Sequence, residues 1–255
     1  MEQPPEGDQQ PQRTAMTVEQ ILDILQAGVF ETEHGLMRWS SNYTFLVSLK
    51  HDDLTLSAVY KPQKGERQLW DFEHGTLCRR EMASYLTSQE LGWLLVPPTA
   101  LRIGPRGLGS VQVYIDHDPE QNYFTFDENM TGELMRLAAF DVLINNADRK
   151  GGHCLLDDQD RLWGIDHGIT FHEQNKLRTV IWDFAGSPVP EAFLADIERL
   201  CGVLDDPESS YTQELKKLLS AAEIMAFQKR IRLLLDTREY PQPLSSGPNY
   251  PWPPV

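Results

Sequence analysis

Basic residues are scarce in this chain: 23 Lys and Arg stand against 38 Asp and Glu, a formal net charge of −15. Nucleic acids and anionic membranes select basic faces, so the balance argues against binding to either. Cysteine is scarcer still. Cys78, Cys154 and Cys201 are odd in number, widely spaced and never in a CxxC pair. That argues against a disulfide framework or a structural zinc, and predicts a reducing, cytoplasmic setting. No apolar run approaches the length of a transmembrane helix. Residues 1–13 lack the basic start and apolar core of a signal peptide. No His-Glu-x-x-His is present, and neither a Gly-x-Gly-x-x-Gly nor a Walker pattern precedes the first strand. What remains is an ordinary globular composition, 40% hydrophobic and 9% aromatic over 255 residues. That length suits one large domain or two closely packed lobes.

Residues 1–15 read as a disordered lead. Thr17 opens a short helix over 18–25 as its N-cap. Strand formers dominate 43–49, alternation marks 54–61, and His51-Asp52-Asp53 is the turn between them. A loop over 62–75 leads to a helix over 77–91, which Gly92 ends. Two strands, 99–102 and 110–115, flank a Gly104-Pro105-Arg106-Gly107 turn. From Asn129 the pattern becomes helical, over 130–144 and, with a break or bend, over 215–235. Strands with one helix, followed mostly by helices, predict an α+β chain of two lobes. The expected division is a small β-rich N-lobe at 16–120, a larger mainly helical C-lobe at 121–240 and a Pro-rich tail at 241–255.

The densest polar stretch runs from Asn145 to His153 and is followed by Ile165-Asp166-His167-Gly168. Asp148 follows an apolar helical run, and Asp166 follows a strand-like run 18 positions later. Phosphoryl transfer asks for a cation near the phosphates, metal ligands, and a carboxylate that positions the attacking hydroxyl. Lys61 is the candidate cation, at the end of a strand and fixed by Pro62. Glu81 is its candidate ion-pair partner in the following helix, with Glu66 and Glu90 as competitors. Taken singly, Lys61 and Glu81 read as surface charges. Asp148 is the candidate base. Kinase catalytic loops read Asp-x-x-x-x-Asn; here the pattern is Asp148-x-x-x-x-His153, with the spacing kept and the metal ligand changed to a softer imidazole. Asp166 is the candidate metal ligand, with Gly168 permitting a tight turn. His167 and His172 read as structural. Ser41 and Asn42, in a polar turn before the strands, are the candidate phosphate contacts.

Asn146-Ala147-Asp148-Arg149 together with Ile165-Asp166-His167-Gly168 resembles the atypical kinase group, which includes the phosphoinositide 3- and 4-kinases and the HipA-type kinases. The wider chain is similar to a bacterial phosphoinositide 3-/4-kinase-like family. That likeness rests on Val59-Tyr60-Lys61-Pro62, Arg80-Glu81-Met82-Ala83, Lys176-Leu177-Arg178-Thr179 and Pro251-Trp252-Pro253-Pro254, among other segments. The resemblance implies a two-lobed protein-kinase-like fold with ATP and Mg2+ or Mn2+ between the lobes. Lys61 would contact phosphates, Glu81 would hold Lys61, Asp148 would act as base, and His153 and Asp166 would hold metal. The expected activity is ATP-dependent transfer of the γ-phosphate to a hydroxyl acceptor. A protein or small-molecule acceptor suits the acidic composition better than a membrane lipid. Two alternatives share the fold: a nucleotide-binding pseudokinase, suggested by His153 and the missing Gly-rich loop, and a nucleotidyl transferase. A third, a metal-dependent hydrolase, would draw on Asp148, His153, Asp166, His167 and His172 but leave Lys61 and Glu81 idle.

Overall fold

A computed structural model describes residues 16–36 and 43–255. The lead at 1–15 and the two expected phosphate contacts, Ser41 and Asn42, lie outside the described residues. Thr17 and Gln20 form a reciprocal capping box at the start of α1 (Val18–Ala27), satisfying donors that the first turn cannot pair internally. A strand that the sequence reading did not resolve follows, β1 (Val29–Leu36). Its Glu, Thr, His and Gly residues mask the alternation that marks its neighbours. Next come β2 (Phe45–His51) and β3 (Leu54–Pro62), which alternate inward and outward as expected. Asp52 makes their turn with φ of 51°, a left-handed conformation that aspartate tolerates.

β4 (Thr99–Gly104) and β5 (Gly107–Val113) pair through Gly104 and Gly107, so the hairpin is tighter than the sequence reading placed it. All five strands form one antiparallel sheet in the order β1-β2-β3-β5-β4. Its core is Ile24 and Leu25 of α1 against Phe45, Val47, Leu49, Ala58, Tyr60 and Val111. Gly109 faces Pro62 across the β3–β5 pairing, and a Cβ there would stand 2.5 Å from the Lys61 carbonyl oxygen. The missing side chain lets β5 lie close against the end of β3 and fixes where Lys61 emerges.

α2 (Leu77–Glu90) lies between β3 and β4 in sequence, yet its buried face joins the other core. Ala83 and Tyr85 pack with α3 (Thr131–Ile144), α4 (Glu191–Asp205), α5 (Ser210–Leu218) and α6 (Ala221–Thr237). α4 was not anticipated from the sequence. The break or bend expected within 215–235 is a break: Leu219 ends α5, and Ser220 caps α6 through a capping box with Glu223. Polar anchors hold α2 to this core. Arg80 donates to the Thr170 carbonyl at 2.6 Å and pairs with Glu223, while the Thr87 hydroxyl meets that of Tyr211 at 2.8 Å. A short hairpin, β6 (Cys154–Leu156) and β7 (Leu162–Gly164), packs into the helical lobe and carries the two candidate loops at its open end. The molecule is thus a β-sheet lobe and a helical lobe, with α2 tying one to the other.

Candidate active site

The candidate catalytic loop begins where α3 stops. Asn145 takes a left-handed conformation, φ 55°, and caps the helix. Its side-chain amide donates to the carbonyls of His172 and Gln174, and its side-chain oxygen accepts from the Lys176 amide. One turn earlier Asp141 interrupts an apolar run, and there it is wholly buried. A buried carboxylate needs partners. Arg149 supplies them in bidentate form, with Nε to Oδ2 at 2.8 Å and Nη2 to Oδ1 at 2.9 Å. Asn146 adds a third bond to the same Oδ1 at 2.9 Å. Arg149 also donates to the carbonyls of His153 and Ile165, at 3.1 and 3.0 Å, and to Nε2 of His167 at 2.6 Å. One buried guanidinium therefore fixes the backbone on both sides of the site. The sequence reading passed over Asp141 and Arg149. The available signal was a lone Asp inside an apolar helical run, with an Arg shortly downstream.

In front of that scaffold three of the expected residues meet. Lys61 Nζ lies 2.5 Å from Glu81 Oε1 and 2.8 Å from Asp166 Oδ1. The other Glu81 oxygen accepts the His167 amide at 3.0 Å, so α2 is joined directly to the Asp166 turn. The competitors are engaged elsewhere: Glu66 accepts the Cys78 amide, and Glu90 lies beside Arg199. Burial would lower the Lys61 pKa, but the two carboxylates outweigh it and hold the ammonium charged. Burial likewise opposes ionisation of Asp166, and the Lys61 charge overcomes this, holding the carboxyl well below its usual range. Asp166 keeps 39% of its side-chain surface open. It sits at φ 59°, and buried Phe171, at the end of the same turn, sits at φ 58°. A left-handed phenylalanine costs about 1–2 kcal/mol, met here by its edge-on contact with Phe227 and by a 2.6 Å bond from its amide to the Ile144 carbonyl.

Asp148 and His153 complete the cluster. Burial pushes the Asp148 carboxyl up to about 6; Lys150, 3.6 Å away, pulls it down and the Asp166 charge pushes it up again. His153 Nδ1 lies 3.0 Å from the Asp148 carbonyl. A carbonyl only accepts, so Nδ1 carries the hydrogen and Nε2 keeps its lone pair; the Lys150 amide, at 3.5 Å, is the weaker neighbour. Burial holds His153 neutral, with a pKa down at about 4. Its Nε2 then faces Asp166 Oδ2 at 3.3 Å, two lone-pair donors turned toward one space. A cation between them would resolve that conflict, so this pair fits a divalent metal. Among the described residues no group of three or more His, Cys, Asp and Glu is arranged to hold one. Mg2+ takes only one or two protein ligands where phosphates supply the rest.

His167 and His172 face away from this space. His167 Nε2 accepts from Arg149, and His172 Nε2 meets the Asp71 carbonyl at 2.8 Å. The Pro-rich tail is docked beside the loop. The Gly151 amide donates to the Pro254 carbonyl at 2.7 Å, and the Asn249 carbonyl accepts from the Thr179 amide and from Trp182 Nε1.

No protein-family model matches the chain. Protein Rv2133c of Mycobacterium tuberculosis (strain ATCC 25618 / H37Rv) is 39% identical over 278 residues, covering 94% of this chain and 97% of that protein. The chain belongs to the Rv2133c family. Solved structures similar to this Rv2133c-family chain include kinases. The Golgi casein kinase with Mn/ADP bound gives a TM-score of 0.53 at 14% identity, over 86% of this chain and 74% of that one. Hydra Fam20 with sugar gives 0.54 at 12%, over 86% and 87%. The Helicobacter pylori proinflammatory kinase CtkA gives 0.50 at 10%, over 85% and 94%. At such identities the likeness establishes the fold alone, a two-lobed kinase-like one. Among the described residues, no helix of this Rv2133c-family chain is long and apolar enough to cross a membrane.

Proposed function

We propose that this chain is an ATP-dependent phosphotransferase of the atypical, phosphoinositide 3-/4-kinase-like type, moving the γ-phosphate to a hydroxyl acceptor. The observation that carries the reading is the three-way contact of Lys61 with Glu81 and Asp166, beside a carboxylate, Asp148, whose pKa is raised to about 6. Kinases require a strand lysine, a helix glutamate and a metal-binding aspartate in one place. Lys61 would hold the phosphates of ATP, kept charged and aimed by Glu81. Asp166 and His153 would hold Mg2+ or Mn2+; the bound metal would neutralise charge building on the phosphate oxygens. Asp148 would accept the acceptor hydroxyl's proton as its oxygen bonds to the γ-phosphorus. The bond from that phosphorus to the bridging oxygen breaks, and its electrons leave with ADP. A base of pKa near the working pH suits that step. The acceptor is a protein or a small molecule in this reading, consistent with the net charge of −15. The expected lobe division, with a tail from 241, belongs to the same proposal.

The test is transfer from γ-labelled ATP, with magnesium and then manganese, to panels of protein and small-molecule hydroxyls. Labelled product with release of ADP supports the reading. Label carried from the α-position instead would make the chain a nucleotidyl transferase. The histidine in place of asparagine at 153 favours a second reading, a nucleotide-binding module without turnover. Saturable ATP binding with neither label transferred to any acceptor would select it.

A further inference from the structure

A cavity of about 460 Å3 lies in the helical lobe, between α3, α6, the segment 173–186 and the chain at 239–249. None of Lys61, Glu81, Asp148, His153 and Asp166 lines it. Its walls are mostly carbon, from Val142, Leu177, Trp182, Leu234, Tyr240 and Leu244. The volume falls in the range of roughly 300–1,000 Å3 that holds small organic molecules.

Arg230 breaks the apolar lining. Its Nε donates to the Leu143 carbonyl at 2.9 Å and its Nη1 to the His172 carbonyl at 3.2 Å. Nη2 is buried and has no partner. Among the described residues no carboxylate lies within ion-pair distance of this guanidinium. Glu223, the acid whose field it feels, is committed to Arg80. Burial accordingly lowers the Arg230 pKa to about 10. Glu173, Lys229 and Glu239 also line the cavity but stand exposed to water at its rim. Arg230 thus places a half-buried guanidinium without a counter-ion in the wall of an apolar void, a match for an acid with a hydrocarbon body. Its planar fork matches a carboxylate in geometry as well as charge.

We infer that this cavity binds a small amphipathic carboxylate, with an aliphatic or aromatic body against Leu177, Trp182 and Leu234 and its acid group on Arg230. The site is separate from the cleft and does not depend on the phosphotransfer reading. It nonetheless touches the catalytic loop. The His172 carbonyl that receives Arg230 also receives the Asn145 side chain that caps α3.

Calorimetry and thermal shift on the full chain test the inference. The probes are octanoate and dodecanoate for an aliphatic body and 2-naphthoate for an aromatic one, each with its neutral alcohol as control. At least one carboxylate is expected to bind at one per chain, about tenfold or more tighter than its alcohol. Whichever body binds assigns the class. Arg230→Met is expected to weaken binding by about tenfold or more. Ala226→Phe, which keeps Arg230 and fills the void, is expected to abolish it. Should Arg230→Met fail to fold, Ala226→Phe and the alcohol controls still decide. Binding by no carboxylate, equal binding of the alcohols, or undiminished binding to Ala226→Phe would overturn the inference.

Discussion

Arg149 and Lys61 are both cations gripped by carboxylates, and their surroundings set them apart. Arg149 has no exposed surface, and its partner Asp141 has 1%. Its guanidinium bonds to Asp141, to two carbonyls and to His167, and nothing opens onto water. Lys61 keeps 18% exposure, and Asp166 keeps 39%. The first cluster is complete in itself and has no room for a ligand. In the second, Lys61 and Asp166 are partly open, where phosphate and metal would compete for their charges. Burial of a satisfied pair makes scaffold, and partial exposure of a strong pair leaves charge within reach of a ligand.

The largest effect expected is on turnover. Asp148→Asn should reduce γ-phosphate transfer by about 10²–10⁴-fold while ATP still binds, as judged by calorimetry beside a turnover assay. Full activity in that variant would remove Asp148 from the base role. Lys61→Met belongs to the same cluster and should also lose transfer.

Asp141→Leu should act the other way, on stability. Stripping one partner from a buried pair costs about 3–5 kcal/mol. In a chain of this size that is a fall of about 6–20 °C in melting temperature. A variant that melts with the parent would dissolve the distinction between the clusters.

Acidity gives a smaller, graded effect. The Asp148 carboxyl, raised to about 6, must be ionised to accept a proton, so transfer should climb as pH rises through about 6. His153, already neutral above about 4, adds nothing to that limb. The stability sign is opposite: the folded state holds the Asp148 proton more tightly than the unfolded chain does. Stability should therefore decline between about pH 4 and 6, and Asp148→Asn should flatten that slope in pH-dependent denaturation.

The smallest effect is the sharpest control. Arg238 and Glu191 stand 2.5 Å apart, as close as Lys61 and Glu81, yet both are exposed. Exposed pairs contribute little, so Arg238→Gln should leave melting within about 2 °C. A larger loss would mean that distance, rather than burial, sets the value of these pairs.

Much of this was legible in the chain. β3 alternates, β2 is rich in strand formers, α2 has apolar positions with no internal Gly or Pro, and the expected residues Lys61, Glu81, Asp148, His153 and Asp166 fall in one connected cluster. β1 was hidden because a polar edge strand has no apolar alternation to read. α4 was missed although its buried positions Phe193, Leu194, Ile197 and Leu200 follow helical spacing. The tail's attachment to Gly151 was invisible for another reason. It runs through backbone groups, the Gly151 amide and the Pro254 carbonyl, which every sequence has alike. Asp141 and Arg149 show the remaining gap: spacing indicates which residues share a helix face, but not that two charges in different elements meet in the dark.

Arg149 has an evolutionary consequence. Its head group joins α3, the catalytic loop, the start of β6 and the Asp166 turn. Lysine, with a single nitrogen, cannot span them. Losing Asp141 alone strands a cation in the interior, and losing Arg149 alone strands an anion. Lineages descending from this sequence will therefore keep both residues or exchange them together, and positions 141 and 149 will drift as one character.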